Sequence, residues 1–296
     1  MPDRRQALGV VVATAAVVIA VTVAVTALTS GAPGFQAISV DHPEFDPGTL
    51  IADRADDTAS IDPAVDASGQ VVLVDEAHRN QFSRAEMKPL LRAFTEAGFE
   101  VRFLTDSGDF DDALAAADVF VVLTPRTSYT RSQVASVNEF TADGGQLILA
   151  GEPTTAEIVS GGLQVSIVET NDRPAALARS YDISYRSRYL YDLVDYAGIY
   201  RNLYATPATA SGLTQGVDRM VVYLGTAVTA TGGQTVFETG ETTHIAGTGE
   251  TRSRGMVVRD GNVIAIGDQT LFTVDRFASA DNDEFIENLV EYVATH

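Results

Sequence analysis

The sequence predicts an α/β fold built on a doubly wound, mostly parallel sheet. Three observations lead there: short, wholly apolar, β-branched runs such as Val71–Val74 and Val119–Leu123; amphipathic helical stretches between them; and their regular alternation from Gln70 to Ala150. A strand covered on both faces reads as an unbroken hydrophobic run. Strand, helix and strand in succession imply right-handed crossovers with helices on both sides of the sheet.

Each element has its own signal. After the first strand, Ser83 and Glu86 stand at capping-box spacing, where hydroxyl and carboxyl each satisfy an amide that the helix leaves unpaired. Met87, Leu90, Leu91 and Phe94 then recur at helical spacing until Gly98 stops the helix. The unit repeats as strand Glu100–Leu104, helix Asp111–Ala117, strand Val119–Leu123, helix Ser132–Ala142 and strand Gln146–Ala150. Beyond Gly161 the pattern loosens. Gln164–Val168, Met220–Leu224 and Thr235–Glu238 read as strands, and Asp260-Gly261 turns a hairpin between Gly255–Val258 and Asn262–Ile266. An amphipathic helix, Asp283–Val293, closes a single Rossmann-like domain spanning 70–296, with a Tyr-rich insertion at about 178–206.

Composition narrows the function classes. The net charge is -20, and Lys88 is the only lysine. Such a surface repels nucleic acid, so no nucleic-acid partner is expected. The Asp-rich, Lys-poor composition matches halophilic proteins with an acidic surface. Without cysteine there is no disulfide, thiol nucleophile or thiolate metal site.

Ala7 to Leu28 is almost wholly apolar and about 33 Å long as a helix, enough to cross a hydrocarbon core of about 30 Å. Arg4 and Arg5 precede it, which places the N-terminus in the cytoplasm by the positive-inside rule. The expected layout is a cytoplasmic tip at 1–6, a transmembrane helix at 7–29, an acidic, Pro-containing tether at 30–69 and an extracellular C-terminal domain. A cleaved signal is the competing reading. The long apolar run and the lack of a small-residue cleavage site favour the anchor.

The motifs carry little catalysis. Asp75-Glu76-Ala77-His78 spells the DEAH of helicases, but no G-x-x-x-x-G-K-[ST] cradle accompanies it, so it reads as a chance tetrapeptide. No G-x-S-x-G elbow exists, and Gly151-Glu152-Pro153 occupies a plausible elbow without a nucleophile. His42, His78, His244 and His296 make no H-x-x-x-H pair. No cofactor, metal site or catalytic residue is assigned. Open α/β sheets bind ligands beyond the carboxyl ends of their strands, which makes Asp75, His78, Asn80, Arg126, Glu152 and Asp268 a candidate ligand rim. For Asp75 and Asp268 the competing role is capping loop amides. Tyr181 to Tyr204 holds seven tyrosines, and Tyr185, Arg186, Arg188, Tyr189, Tyr191, Tyr196 and Tyr200 are candidates for a partner surface, since Tyr and Arg dominate interface hot spots. The alternative is that these rings pack on the sheet edge.

Three segments carry a family resemblance: V-V-L-V-D-E-A-H-R-N-Q-F-S-R-A-E with L-L-R-A-F-T-E-A-G-F-E-V-R-F, then I-Y-R-N-L-Y-A-T-P-A, then G-D-Q-T-L-F-T-V-D-R-F-A-S-A-D-N-D-E-F-I-E-N-L-V. They resemble the domain of unknown function 4350 family of membrane-anchored halophilic archaeal proteins. The most specific positions are Gly267-Asp268, Asp281-Asn282 and Asn288. The resemblance implies a glutamine amidotransferase-like fold, a relation to the auxiliary component of gliding-motility-type ABC transporters, and no assigned catalytic residues. A chain without cysteine departs from true amidotransferases of that fold. Two functions follow as expectations. The first is a non-catalytic binding or scaffolding module for envelope or ABC-transporter-associated proteins. The alternative is a hydrolase-like enzyme using Asp75, His78 and Asp268 with a divalent metal.

Overall fold

The computed structural model describes residues 59–161, 164–170 and 173–296. Its main sheet has nine strands. In spatial order they are β2 (Glu100–Leu104), β1 (Val71–Asp75), β3 (Val119–Leu123), β4 (Gln146–Ala150), β14 (Val263–Ile266), β13 (Gly255–Asp260), β11 (Gln234–Thr239), β8 (Asn202–Pro207) and β9 (Met220–Tyr223). Pairing is parallel from β2 through β14. From β14 through β9 it is antiparallel.

This corrects the expected doubly wound, mostly parallel, Rossmann-like and glutamine amidotransferase-like sheet: the sheet is mixed and its helices are few. The physical reason lies in the connections. A parallel pair needs a long crossover, whereas a two-residue link such as Gly261-Asn262 joins only antiparallel neighbours. Gly261 takes φ 54°, the left-handed geometry such a turn requires.

The helices are α1 (Lys88–Glu96), α2 (Phe110–Ala115), α3 (Arg131–Ala142), α4 (Ala175–Arg179) and α5 (Asn282–Thr295). Strand alternation divides the core between the two faces of the sheet. Val72, Val74, Ile148 and Ile266 cluster with Leu90 and Phe94 of α1 and with Phe285 and Leu289 of α5. Leu73, Phe120, Leu147 and Ala265 cluster with Phe110 and Leu114 of α2, Val137 of α3 and Leu177 of α4. The Ser83–Glu86 box forms, with Glu86 accepting from the Ser83 amide and Ser83 from the Glu86 amide, although α1 proper begins only at Lys88. Thr130 and Gln133 form a second box, which starts α3.

Both ends of the main sheet are protected. At the β9 end, Asn282 accepts from the Val221 amide at 2.9 Å and donates to the Val221 carbonyl at 3.1 Å, standing in for a neighbouring strand. At the other end β2 carries the Glu100–Arg102 ion pair. The main-sheet and ribbon segments singled out in the sequence form as strands. Left unread were β8 of the main sheet, β5 (Thr155–Gly161), which pairs with β6 (Gln164–Thr170) as a ribbon, and a small sheet of β10 (Thr226–Ala230), β7 (Ile183–Tyr191) and β12 (His244–Ile245). The Tyr-rich insertion is β7, the loop after it and the start of β8.

Residues 30–69 were expected to tether. Within the described part, Ile61, Val65 and Ala67 pack into the core, and the Asp62 and Ala64 amides donate to Glu287 and Glu291 of α5. The folded unit therefore starts before Gln70. The proposed cytoplasmic tip and transmembrane helix at 7–29 lie outside the described residues. Among the described residues no helix is long and apolar enough to cross a membrane. The longest, α5, has 14 residues and spans about 21 Å. Membrane attachment, and with it the extracellular placement of the domain, is withdrawn.

Candidate functional site

β1 delivers Asp75 to the carboxyl edge of the parallel half, fully buried, with His78 beside it. A buried carboxylate persists only if bonded on all sides. The His78 ring donates from Nδ1, 3.0 Å from both Asp75 oxygens. The Ala77 amide donates to Oδ1 at 3.1 Å, and the Tyr129 hydroxyl to Oδ2 at 2.5 Å. Tyr129 stacks on His78 with ring centroids 3.8 Å apart, and Phe110 meets both rings edge-on. Burial first, then the negative Asp75, pushes the Tyr129 hydroxyl well above its ordinary pKa, so it stays a neutral donor. Sequence reasoning missed Tyr129, because an aromatic residue in a loop carries no pattern that ties it to a distant carboxylate.

A second buried group forms where β4 and β14 end. Asp268 Oδ2 accepts from the Tyr223 amide at 2.6 Å, and Oδ1 from the amide and hydroxyl of Thr270 at 2.7 and 2.6 Å. Glu152 accepts from the Gln269 amide at 2.8 Å and hydrogen-bonds Asp268. Burial, then the Asp268 charge, raises the Glu152 pKa well above the usual carboxylate range; burial also raises that of Asp268. Two carboxyls in contact away from water share a proton, and Glu152 carries it.

Between these groups, Asn80 donates to the Leu123 carbonyl at 2.8 Å, the Arg126 amide donates to the His78 carbonyl at 3.1 Å, and Thr124 donates to Gln269 at 2.8 Å. Thr124 holds φ 39°, a costly geometry for a β-branched residue, and this bond helps fix it there. The rim residues are thus brought together in two bonded groups, with Asp75 and His78 in one and Glu152 and Asp268 in the other. The cleft lined by Arg126, Tyr129, Arg173 and Arg179 measures about 70 Å³, small beside the roughly 300–1,000 Å³ of ordinary ligand sites. Among the described residues, no three His, Asp or Glu side chains group to hold a metal ion. Glu76, the second letter of DEAH, is an ion-pair partner of Arg84, whose guanidinium lies 3.6 Å from the Phe103 ring centroid.

The Tyr-rich insertion divides in two. Tyr185 is turned inward, its hydroxyl donating to the Leu149 carbonyl at 3.0 Å, with its pKa pushed far up by burial. Tyr189, Tyr191 and Tyr200 form a ring cluster, with Tyr191 stacked on His244 at 4.9 Å and Arg201 5.1 Å from both Tyr189 and Tyr200. Arg186 and Arg188 are exposed on β7, and Tyr196 bridges to Leu203. Asp192, buried, accepts from the Val194 and Asp195 amides and so shapes the following loop. That loop exposes Leu193 by 63%, Val194 by 76% and Ile199 by 56%. The sequence signal was available: three aliphatic residues in a turn-rich, polar stretch with no helical or strand period.

One solved structure shares the architecture. The mmIFT52 N-terminal domain aligns with 77% of this chain and 98% of its own at 11% identity and a TM-score of 0.60, which shows a common fold. A cytoplasmic protein from Salmonella typhimurium LT2 aligns with 76% of this chain and 99% of its own at 13% identity, with a TM-score of 0.45. No curated protein matches the sequence. Residues 90–290 match the profile of the family described as Domain of unknown function (DUF4350), and the chain belongs to that family.

Proposed function

We propose that this protein is a non-catalytic binding module that engages a protein partner through the β7–β8 loop. The observation that carries the reading is the exposed trio Leu193, Val194 and Ile199 beside the Tyr189–Tyr191–Tyr200 cluster. Exposing several large aliphatic side chains together costs free energy unless a partner covers them. Arg201, 5.1 Å from the Tyr189 and Tyr200 rings, sets a cation in this patch on a chain of net charge -20, so the complementary surface is apolar and carries a carboxylate. The alternative hydrolase reading lacks support in the geometry, because Asp75 and Asp268 spend their oxygens on separate internal bonds.

The test is quantitative affinity capture in molar salt from cells of the source organism, with parent chain and a Leu193→Asp, Ile199→Asp variant as baits. A protein retained by the parent and released by the variant, with unchanged melting, supports the module. Identical capture by both baits refutes the assignment to this loop.

A further inference from the structure

A wide groove opens at the edge of the main sheet opposite the rim, where β1, β3 and β4 begin. Its volume is about 920 Å³, within the range of organic ligand sites. The walls come from α2, α3 and the last turn of α5. Asp111, Asp118, Glu139 and Asp143 line it, and neither Lys nor Arg does. Two of the carboxylates have internal work: Asp118 accepts from the Val71 amide at 2.7 Å and Asp111 from the Ser136 hydroxyl at 2.7 Å. Glu139 and Asp143 stand exposed on α3 and just past it.

An acidic lining alone is ordinary on so acidic a protein. Gln146 makes this groove different. It is the first residue of β4, is only 3% exposed and lines the groove, yet its Oε1 has no hydrogen-bond partner. A buried carbonyl oxygen without a donor costs roughly as much as a lost hydrogen bond, so an N–H supplied by a ligand would remove a standing penalty. The floor and walls also offer Leu114, Ala117 and Val293 as apolar contacts.

We propose that this groove binds an aliphatic polyamine. Its ammonium groups pair with Glu139 and Asp143, the methylene chain lies along Leu114, Ala117 and Val293, and the Gln146 carboxamide, shielded in the free protein, turns so that its Oε1 accepts one N–H. A metal ion fits poorly, because no three acidic or histidine side chains among the described residues converge tightly enough to hold one.

Spermidine is the probe, titrated calorimetrically into the full-length protein at fixed, high KCl so that diffuse attraction to the surface is screened. The expected result is saturable binding at one site, weakened about tenfold by Glu139→Gln with Asp143→Asn. Glu139→Arg, which places a cation in the groove, should abolish it. A control with the same charge change, Asp218→Asn with Asp275→Asn, lies outside the groove and should bind as the parent does. No saturable binding, or equal weakening by groove and control variants, overturns the proposal. Circular dichroism confirms folding of each variant; all the substituted carboxylates are exposed.

Discussion

Replacing Glu152 by glutamine should make the protein more stable, and increasingly so as pH rises. The two buried carboxyls at the ends of β4 and β14 both have pKa values raised by folding, so the folded chain holds a proton that the unfolded chain releases. For an acid shifted upward, the stabilisation is complete below the unfolded value, near 4.5 for Glu152, and is lost as pH climbs through the folded value. Between those limits one extra bound proton changes stability by about 1.4 kcal/mol per pH unit. The carboxamide of the Glu152→Gln variant would keep a donor toward Asp268 and an acceptor for the Gln269 amide, yet nothing in it titrates. The variant should therefore draw ahead of the parent as pH rises above about 4.5, the gap widening until the folded Glu152 gives up its proton. Urea unfolding at half-unit pH steps in constant molar salt measures the difference. Parallel stability curves for parent and variant would refute the shared proton.

Three further outcomes follow from the geometry. Asp75→Ala should cost roughly 3–5 kcal/mol in chemical denaturation, since it strips the acceptor from Tyr129, His78 and the Ala77 amide at once, while Asp75→Asn should cost less than half of that. Gly267→Ala should destabilise by more than about 3 kcal/mol, because its Cβ would run into the Thr226 carbonyl oxygen, a backbone atom that cannot step aside; wild-type melting would contradict this. With a net charge of -20, melting temperature should fall on dialysis from 1 M to 0.1 M salt, as the screening length grows from about 3 to about 10 Å; an unchanged value would show that surface repulsion is unimportant here.

The sequence made β1 to β4 and their helices legible because each carries a strong periodic signal: Val119–Leu123 is apolar throughout, and Met87, Leu90 and Phe94 repeat at helical spacing. It misled on topology. A buried strand such as Val263–Ile266 looks the same whether its neighbours run parallel or antiparallel, so the antiparallel half was invisible in composition. β7 was missed because its outward positions are Arg, Ser and Tyr, and β10 and β12 because they are short and rich in Thr, Ala and His. At the rim, Asp75 and Asp268 were readable from their place after apolar strands. So were His78 and Glu152, on the same rim. Which of these groups bond to one another was not, and neither was Tyr129, which reaches Asp75 across 54 residues of chain with no local spacing to record the contact. Asp281, Asn282 and Asn288, prominent in the family resemblance, turn out to hold the β9 end together, with Asn288 donating to the Gln215 carbonyl at 2.7 Å.

The pairing of β4 with β14 has a kinetic consequence. Leu147 lies opposite Val263, so the middle of the sheet joins segments separated by roughly a hundred residues, and closing a loop of that size costs about 4 kcal/mol of chain entropy before any contact repays it. During synthesis, β1 to β4 leave the ribosome well ahead of β14 and α5, so a wholly apolar strand, Leu147 to Ala150, waits with one edge unpaired. That interval is when the chain is most exposed to wrong association. Refolding from denaturant should accordingly be slow and concentration-sensitive, and the late step should be the docking of the C-terminal hairpin and α5 onto a preformed parallel half.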